Sequence, residues 1–380
     1  MKIGIVSLPF NWNYGGILQT WALQQVLADL GHEGVTINRN TVLMPLKMKI
    51  LSFTRRLILT ILGKKVVVRT WPTKKEEKII RQHTDRFIAE NVTTTHLFKS
   101  EKDFSKLNDY KFNAYIVGSD QVWRPKYSPN LENHFLGFLP ESMNVKRIAY
   151  AASFGVDNWE FSSTQTSSCA RLVHLFDGIS VREDSAVELC KEHFGVMAEH
   201  VLDPTLLVDA EKYVELVKKD KVAKMPGTLF NYVLDITDEK KQFIDDASAK
   251  LGLKAFSSTA AGEFRMLGKK RLEECVFPPI TQWIRSFMDA EFVITDSFHG
   301  TAFSIIFNKP FIAIGNKKRG ISRFSSLLKL FGLEDRLIYD FGEDALQKVS
   351  EPMDYTTVNE KLMKKRAESI RFLKMNLTTD

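Results

Sequence analysis

Short apolar runs and segments of helical period alternate along this chain in two successive series, and that alternation leaves few folds open. Residues 2–8 form an apolar run of the kind a parallel strand shows when both its faces are covered. Residues 16–30 then repeat apolar side chains at helical spacing (Leu18, Ala22, Val26; Leu23, Leu27, Leu30), and Gly31 follows where a left-handed C-cap belongs. Further strands are predicted at 34–38, 114–117, 147–152 and 178–181. After Val201–Val208 the pattern restarts with a helix near 211–218. Strands follow at 228–233, 253–257, 291–295 and 310–314, with helices at 237–251, 281–289, 299–307, 322–331 and 356–374. Such a series folds as a parallel sheet with right-handed crossovers.

A chain of 380 residues exceeds one ordinary hydrophobic core, so the two series are assigned to two Rossmann-like α/β domains facing a cleft. The first spans 1–208 and the second 209–350, with 351–380 a helix packing back across their junction. Residues 42–112 break the alternation and read as two or three inserted helices, one over 76–90 with Ile79, Ile80, Phe87 and Ile88 on one side.

The net charge of +7 is concentrated in that insertion: Val42–Ile80 holds ten basic residues against Glu76 and Glu77. Everything else is balanced, which argues against a nucleic-acid face, where basic residues spread among aromatics. Residues 44–69 interleave Leu, Ile, Met and Phe with Lys and Arg, as an interfacial helix on an anionic membrane does; a cationic cover packed over the first domain is the equal alternative. No run of about 18 apolar residues occurs, so no transmembrane helix is predicted. The apolar start is too short for a signal segment, and Cys169, Cys190 and Cys275 form no CxxC pair, so a cytoplasmic protein is expected. No metal-binding pattern stands out.

Ligands of open parallel sheets bind where strands give way to helices. Five such places carry reactive or ligand-like groups. Asn13, Tyr14, Gly15 and Gly16 lie between the first strand and first helix, with Gln19 one turn on. Ser119, Asp120, Gln121 and Trp123 leave the strand 114–117 and combine an acid, an amide and an indole, a set suited to gripping a sugar. A helix-capping role for Asp120 is the alternative. Arg182 ends the strand 178–181, where its fork can meet phosphate or carboxylate; a surface pair with Glu183 is the alternative. Ser297, Phe298 and His299 open the helix after 291–295, which sets an imidazole at a strand-to-helix turn. Downstream, Lys317, Lys318, Arg319 and Arg323 make a basic loop suited to a phosphorylated substrate.

In this order, residues 13–33, 117–123, 149–155, 179–186, 201–207 and 294–314 resemble the polysaccharide pyruvyl transferase family. The resemblance does not extend to 42–112, 209–280 or the C-terminal tail. It implies a GT-B-like fold and transfer of a pyruvyl group from phosphoenolpyruvate to hydroxyls of a hexose in a polysaccharide or lipid-linked repeat, with no cofactor besides that co-substrate. It further implies that Arg182 and His299 hold the donor and that His299 is the proton donor. Asp120 is then the base or a hydroxyl ligand, and the Asn13–Gly16, Gln19, Ser119, Gln121 and Trp123 group faces the acceptor. Several relatives carry an arginine where this chain has Ser297, which leaves that donor contact to Lys317, Lys318, Arg319 or Arg323. A nucleotide-sugar glycosyltransferase and an idle sugar-binding module are the other readings, since fold does not determine chemistry.

Overall fold

The computed structural model describes residues 1–40, 46–128, 130–316 and 320–378. Two all-parallel sheets organise it. The first holds β1 (Lys2–Val6), β2 (Glu33–Thr36), β3 (Ala114–Val117), β4 (Lys146–Ala152), β5 (Gly178–Val181) and β6 (Glu199–His200), in the order β2-β1-β3-β4-β5-β6. The second holds β7 (Leu229–Tyr232), β8 (Ala255–Phe256), β9 (Phe292–Thr295), β10 (Phe311–Ile314) and β11 (Leu337–Ile338), in the order β11-β10-β9-β7-β8. The predicted α/β class is therefore the observed one. Every residue of β3, β9 and β10 is buried, which explains why their sequences read as unbroken apolar runs rather than alternating ones.

Strand order places the functional loops. In the first sheet the chain steps from β1 to β2 on one side and from β3 onward on the other, so the loops after β1 and β3 diverge at a topological switch point. The second sheet repeats the arrangement between β7 and β9. Residues 7–13, 118–123 and 296–297 leave strands at these two points.

Several elements differ from the sequence reading. The expected helix over 76–90 is two helices, α3 (Lys74–Ile80) and α4 (Gln82–Asn91), because Arg81 leaves helical geometry at φ −95°, ψ 2°. Thr73 and Glu76 close a capping box at the start of the first. Residues 118–128 form turns rather than a helix, so Asp120 is no helix cap; it stands instead in the left-handed region at φ 73°. The helix at the start of the chain, α1 (Tyr14–Asp29), ends as predicted, with Gly31 at φ 81°. In the insertion, α2 (Leu46–Ile61) contains no buried residue. The C-terminal helix Tyr355–Leu377 lies against β4, the short helix Pro204–Leu207 and the helix Ser322–Phe331.

One apolar core runs through both halves. Trp21 of α1 packs on Tyr213 with ring centres 5.2 Å apart, Tyr213 on Phe303 at 4.9 Å, and Phe303 on Trp283 at 4.7 Å. Tyr14 closes the circuit against Trp283 at 5.8 Å and donates its hydroxyl to the Pro278 carbonyl at 2.6 Å. Burial of that phenol pushes its pKa far up, so it stays a donor at any physiological pH. Because Trp283 is fully buried in this seam, Trp283→Ala should lower the unfolding free energy by about 3–5 kcal/mol, measured by urea denaturation. A loss below about 1 kcal/mol would show that the seam does not hold the halves together.

Candidate functional site

The seam ends at a buried polar cluster that elements of both sheets supply. Its centre is Asp203, the N-cap of the helix Pro204–Leu207. Proline at the first helical position pre-sets φ there, and Asp203 Oδ1 accepts from the Thr205 backbone N–H at 3.0 Å and hydroxyl at 2.7 Å. That leaves Oδ2 for other partners. Ser119 donates to it from 2.8 Å and Arg182 Nη1 from 2.9 Å. His299 Nε2 stands 3.9 Å from the same oxygen. The guanidinium of the first half and the imidazole of the second therefore meet at one carboxylate.

Surrounding groups tighten this meeting. Arg182 Nη2 lies 3.5 Å from Asp120 Oδ1, and its guanidinium carbon sits 4.5 Å from the centre of the Phe298 ring. The guanidinium carbon of Arg323 is 5.9 Å from that ring. Gly15 has no room for a side chain, since a Cβ there would overlap the His299 imidazole. Gly16 faces Asn13 and Asp120, to which a Cβ would come within 3.3 and 3.7 Å. Ser297 caps the helix Phe298–Ile306, accepting from the Gly300 N–H at 3.5 Å.

Electrostatics follow from burial. Burial alone would lower the Arg182 pKa, but Asp203, Asp120 and Glu183 reverse that and hold it above the ordinary arginine value. Burial works against the charged form of Asp203, yet His299 and Arg182 draw its pKa below the usual 3.8. His299 goes the other way. Burial depresses it, Asp203 and Asp120 oppose the shift, and Arg182 and Arg323 add to it, so the imidazole is neutral at pH 7. Arg323 is pushed down to about 10 by burial and by Arg182. Several buried polar atoms here have no hydrogen-bond partner: Arg182 Nε and Nη2 and His299 Nε2; Gln19 Oε1 in α1 is likewise buried without one. Such atoms normally mark a missing ligand or water.

The predicted residues thus separate. His299, Arg182, Asp120, Ser119, Ser297, Phe298, Arg323, Gly15, Gly16 and Asn13 come together around Asp203. Lys317, Lys318 and Arg319 lie outside the described residues. Trp123, predicted to face a sugar, is instead fully buried; its ring stacks on Phe135 at 4.8 Å and its N–H donates to the His134 carbonyl at 2.9 Å. Gln121 is likewise occupied, its Oε1 accepting from Arg124 Nη1 at 3.0 Å and packing against Gly155. Tyr14 spends its hydroxyl on the seam. The alternative surface pair of Arg182 with Glu183 does not occur. Glu183 is fully buried, and its Oε1 accepts from Ser153 Oγ at 2.9 Å and the Gly155 N–H at 2.8 Å.

Asp203 and Glu183 carry much of the site, and sequence reasoning assigned neither a role. The Asp-Pro step of Val201–Leu207 signals a helix start, but nothing in it reveals that the second carboxylate oxygen points at the site. Among the described residues no group of three His, Cys, Asp or Glu side chains is placed to hold a metal ion.

The family model described as polysaccharide pyruvyl transferase matches residues 13–318. No curated protein sequence matches the chain. Among solved structures, UDP-GlcNAc 2-epimerase from Methanocaldococcus jannaschii is similar at 13% identity and a TM-score of 0.50, over 93% of this chain and 92% of that one. UDP-N-acetylglucosamine 2-epimerase from Rickettsia bellii aligns at 12% identity and a TM-score of 0.48, over 99% and 96%. A glycosyltransferase from Rickettsia africae aligns at 10% identity and 0.46, over 99% and 94%. At such identities the likeness is one of fold, the paired parallel sheets of the GT-B class.

Removing the charge of Asp203 should be costly. Asp203→Asn leaves Arg182 buried without its closest counter-ion, and thermal or urea unfolding should show a loss on the order of 3 kcal/mol. The folded pKa of Asp203 is depressed, so its contribution is complete above 3.8 and fades as pH falls through the lower folded value. The gap between wild type and variant should therefore be constant near neutrality and shrink in strong acid. A gap that widens on acidification would contradict the assignment.

Proposed function

Because the chain belongs to the polysaccharide pyruvyl transferase family, we propose that it transfers a pyruvyl group from phosphoenolpyruvate onto two hydroxyls of a hexose, forming a ketal and releasing phosphate. The observation that carries this reading is the convergence of Arg182 and His299, from opposite halves, on Asp203 Oδ2, with donor atoms of both left without a hydrogen bond. A small dianionic or trianionic acid suits such a convergence, because it needs cations from two sides and a proton source between them.

In this proposal Arg182 and Arg323 hold the phosphate and carboxylate of the donor. Arg323 takes the place of the arginine that Ser297 does not supply, since Ser297 is committed to capping its helix. His299, once protonated, gives its proton to the methylene carbon, and the positive charge develops at the adjacent carbon, stabilised by the ester oxygen. A sugar hydroxyl adds there, with Asp120 taking its proton. The carbon–oxygen bond to phosphate breaks and phosphate departs. The second hydroxyl then closes the ketal, and its proton leaves with phosphate. Of the two hydroxyl protons one leaves on phosphate, and the one taken by Asp120 returns through solvent to His299 in place of the proton now in the methyl group, so the exchange balances.

The neutral state of His299 in the free protein has a role here. Burial holds the imidazole down, with Arg182 and Arg323 adding to it; an anionic donor on those arginines offsets their part and raises its pKa. The acid is thus charged when the donor is bound. For a general acid the rate falls as pH rises through its pKa, and kcat/KM reports the free enzyme whereas kcat reports the complex. The falling limb of kcat should accordingly lie at higher pH than that of kcat/KM. Coincident limbs would sink the role of His299. His299→Ala and Arg182→Ala should each cut phosphate release by at least about 100-fold. Normal turnover in both would remove the reaction itself.

The acceptor is proposed to be a lipid-linked or polymeric sugar, presented at an anionic membrane face where α2 attaches the enzyme. The helix touches the remainder of the protein along Lys49, Ser52, Arg56 and Leu59, the four half-buried positions of α2. It leaves Leu46, Ile50, Phe53, Leu57 and Ile61 exposed in an i, i+4, i+7 stripe, at 41–77% exposure. Lys47 and Arg55 flank the stripe from the solvent side. Among the described residues no helix is long and apolar enough to cross a membrane. Attachment by this helix predicts flotation with anionic vesicles at low salt, weakened by added salt and abolished in Phe53→Glu/Leu57→Glu. Absence of binding at either salt would refute attachment.

A further inference from the structure

A cavity of about 580 Å³ opens at the carboxyl edge of the first sheet, apart from the Asp203 cluster. Leu8 and Pro9, beyond β1, line it together with Arg39 beyond β2 and Tyr127 beyond β3. Ligands of parallel sheets sit at this edge, and the proposed reaction makes no use of this cavity.

Its floor has an unusual pair. Arg39 Nη2 donates to the Ser7 carbonyl and to His134 Nε2, the latter at 2.8 Å. A guanidinium has no lone pair to offer, so Nε2 accepts and the imidazole proton sits on Nδ1. His134 is 4% exposed, and its Nδ1 has no partner; Arg39 Nε is also buried without one. Both orphan atoms are donors. What is missing is an acceptor, and a positively charged floor specifies a negatively charged one.

The surrounding charges agree. Burial pushes the Arg39 pKa down to about 10, with Glu101 as a partial counter-charge. Burial and Arg39 hold His134 well below the usual histidine range, so it remains a neutral donor. Glu101 is itself occupied by the side-chain amides of Asn130 and Asn133, at 2.7 and 3.0 Å. Lys99 and Lys126 line the same cavity and are exposed, so cations outnumber the single acid around it.

A short chain of contacts links the cavity wall to the reaction site. Asn11 lines it and accepts from the Asn13 N–H at 2.6 Å, and Asn13 in turn lies against Gly16 beside Asp120. From another wall, the Tyr127 phenol lies close enough to Arg323 to influence its charge.

We propose that this cavity is an anion-recognising subsite for the acceptor, in which Arg39 and His134 bind a phosphate or carboxylate carried by the saccharide whose hydroxyls are presented at Asp120. The inference rests on the proposed transfer to a sugar and adds that the acceptor is charged. A neutral glycan would leave both donors unsatisfied, at a cost of roughly 1–3 kcal/mol each. The enzyme thus selects acceptors by a charge distant from the reacting hydroxyls.

Calorimetric titration of the full-length protein, held in saturating phosphoenolpyruvate so that Arg182 and Arg323 are occupied, tests this. Pyrophosphate, glucose 1-phosphate, glucuronate and methyl glucoside are the probes. Binding of either phosphate probe, or of glucuronate, with methyl glucoside inert, is the expected result, and which anion binds identifies its source. Arg39→Gln should weaken that binding at least about tenfold. Lys99→Glu/Lys126→Glu, confined to exposed positions, should weaken it severalfold and serves if Arg39→Gln does not fold. Equal affinity in wild type and both variants, or no anion binding to wild type, would overturn the subsite. Failure of phosphoenolpyruvate itself to bind would instead count against the proposed reaction, since anion binding lost in Arg39→Gln would still stand.

Discussion

Everything at the site depends on the Asp203 carboxylate. A fully buried guanidinium is tolerable only beside a negative charge, and Arg182 finds its nearest one at 2.9 Å. Asp203 is in turn immobilised by its own helix, whose first N–H and Thr205 hydroxyl hold one oxygen and aim the other. The two oxygens thus divide the work: Oδ1 fixes the backbone, and Oδ2 fixes Ser119 and Arg182. Because the helix Pro204–Leu207 packs against both α1 and the helix Phe298–Ile306, the carboxylate marks the point where the two sheets are registered against each other. His299 meets it there with its Nε2 3.9 Å from Oδ2.

Registration at a single polar point would be weak without the apolar seam beside it. Tyr14, Trp21, Tyr213, Trp283 and Phe303 form a continuous set of ring contacts that crosses from one half to the other. Aromatic rings fill such a junction with few rotatable bonds, so they hold position at small entropic cost. Gly15 then lets the His299 imidazole press directly on α1, and the Gly155 carbonyl and Gly320 pack with no room for a Cβ on the latter. These are close approaches of backbone to side chain or to backbone, which only glycine permits.

Sequence reasoning found the strands that are long and wholly buried, because their apolar runs have no other explanation. It missed β6 and β11, each of two residues, since so short a run carries no period. It joined α3 to α4 because the apolar spacing continues past Arg81, whereas the break there is a matter of backbone angles. At the site it located Arg182, His299 and Asp120 by their position after strands. It misjudged Trp123, because an indole beside an acid looks the same whether it faces a ligand or a core. Glu183 looked like a surface partner for the same reason: burial is a property of neighbours distant in sequence, here Ser153 and Gly155.

The amino-acid sequence by itself determined the two parallel sheets and the loops at their carboxyl edges, since hydrophobic period and chain order dictate which strands can pair. It also determined the charge of α2 and its apolar stripe, which are local. Only the tertiary structure decided which polar atoms lie together, which have partners, and which carboxylate a given arginine meets. Those outcomes turn on contacts of a few ångströms between residues tens to hundreds of positions apart. No periodicity encodes such distances.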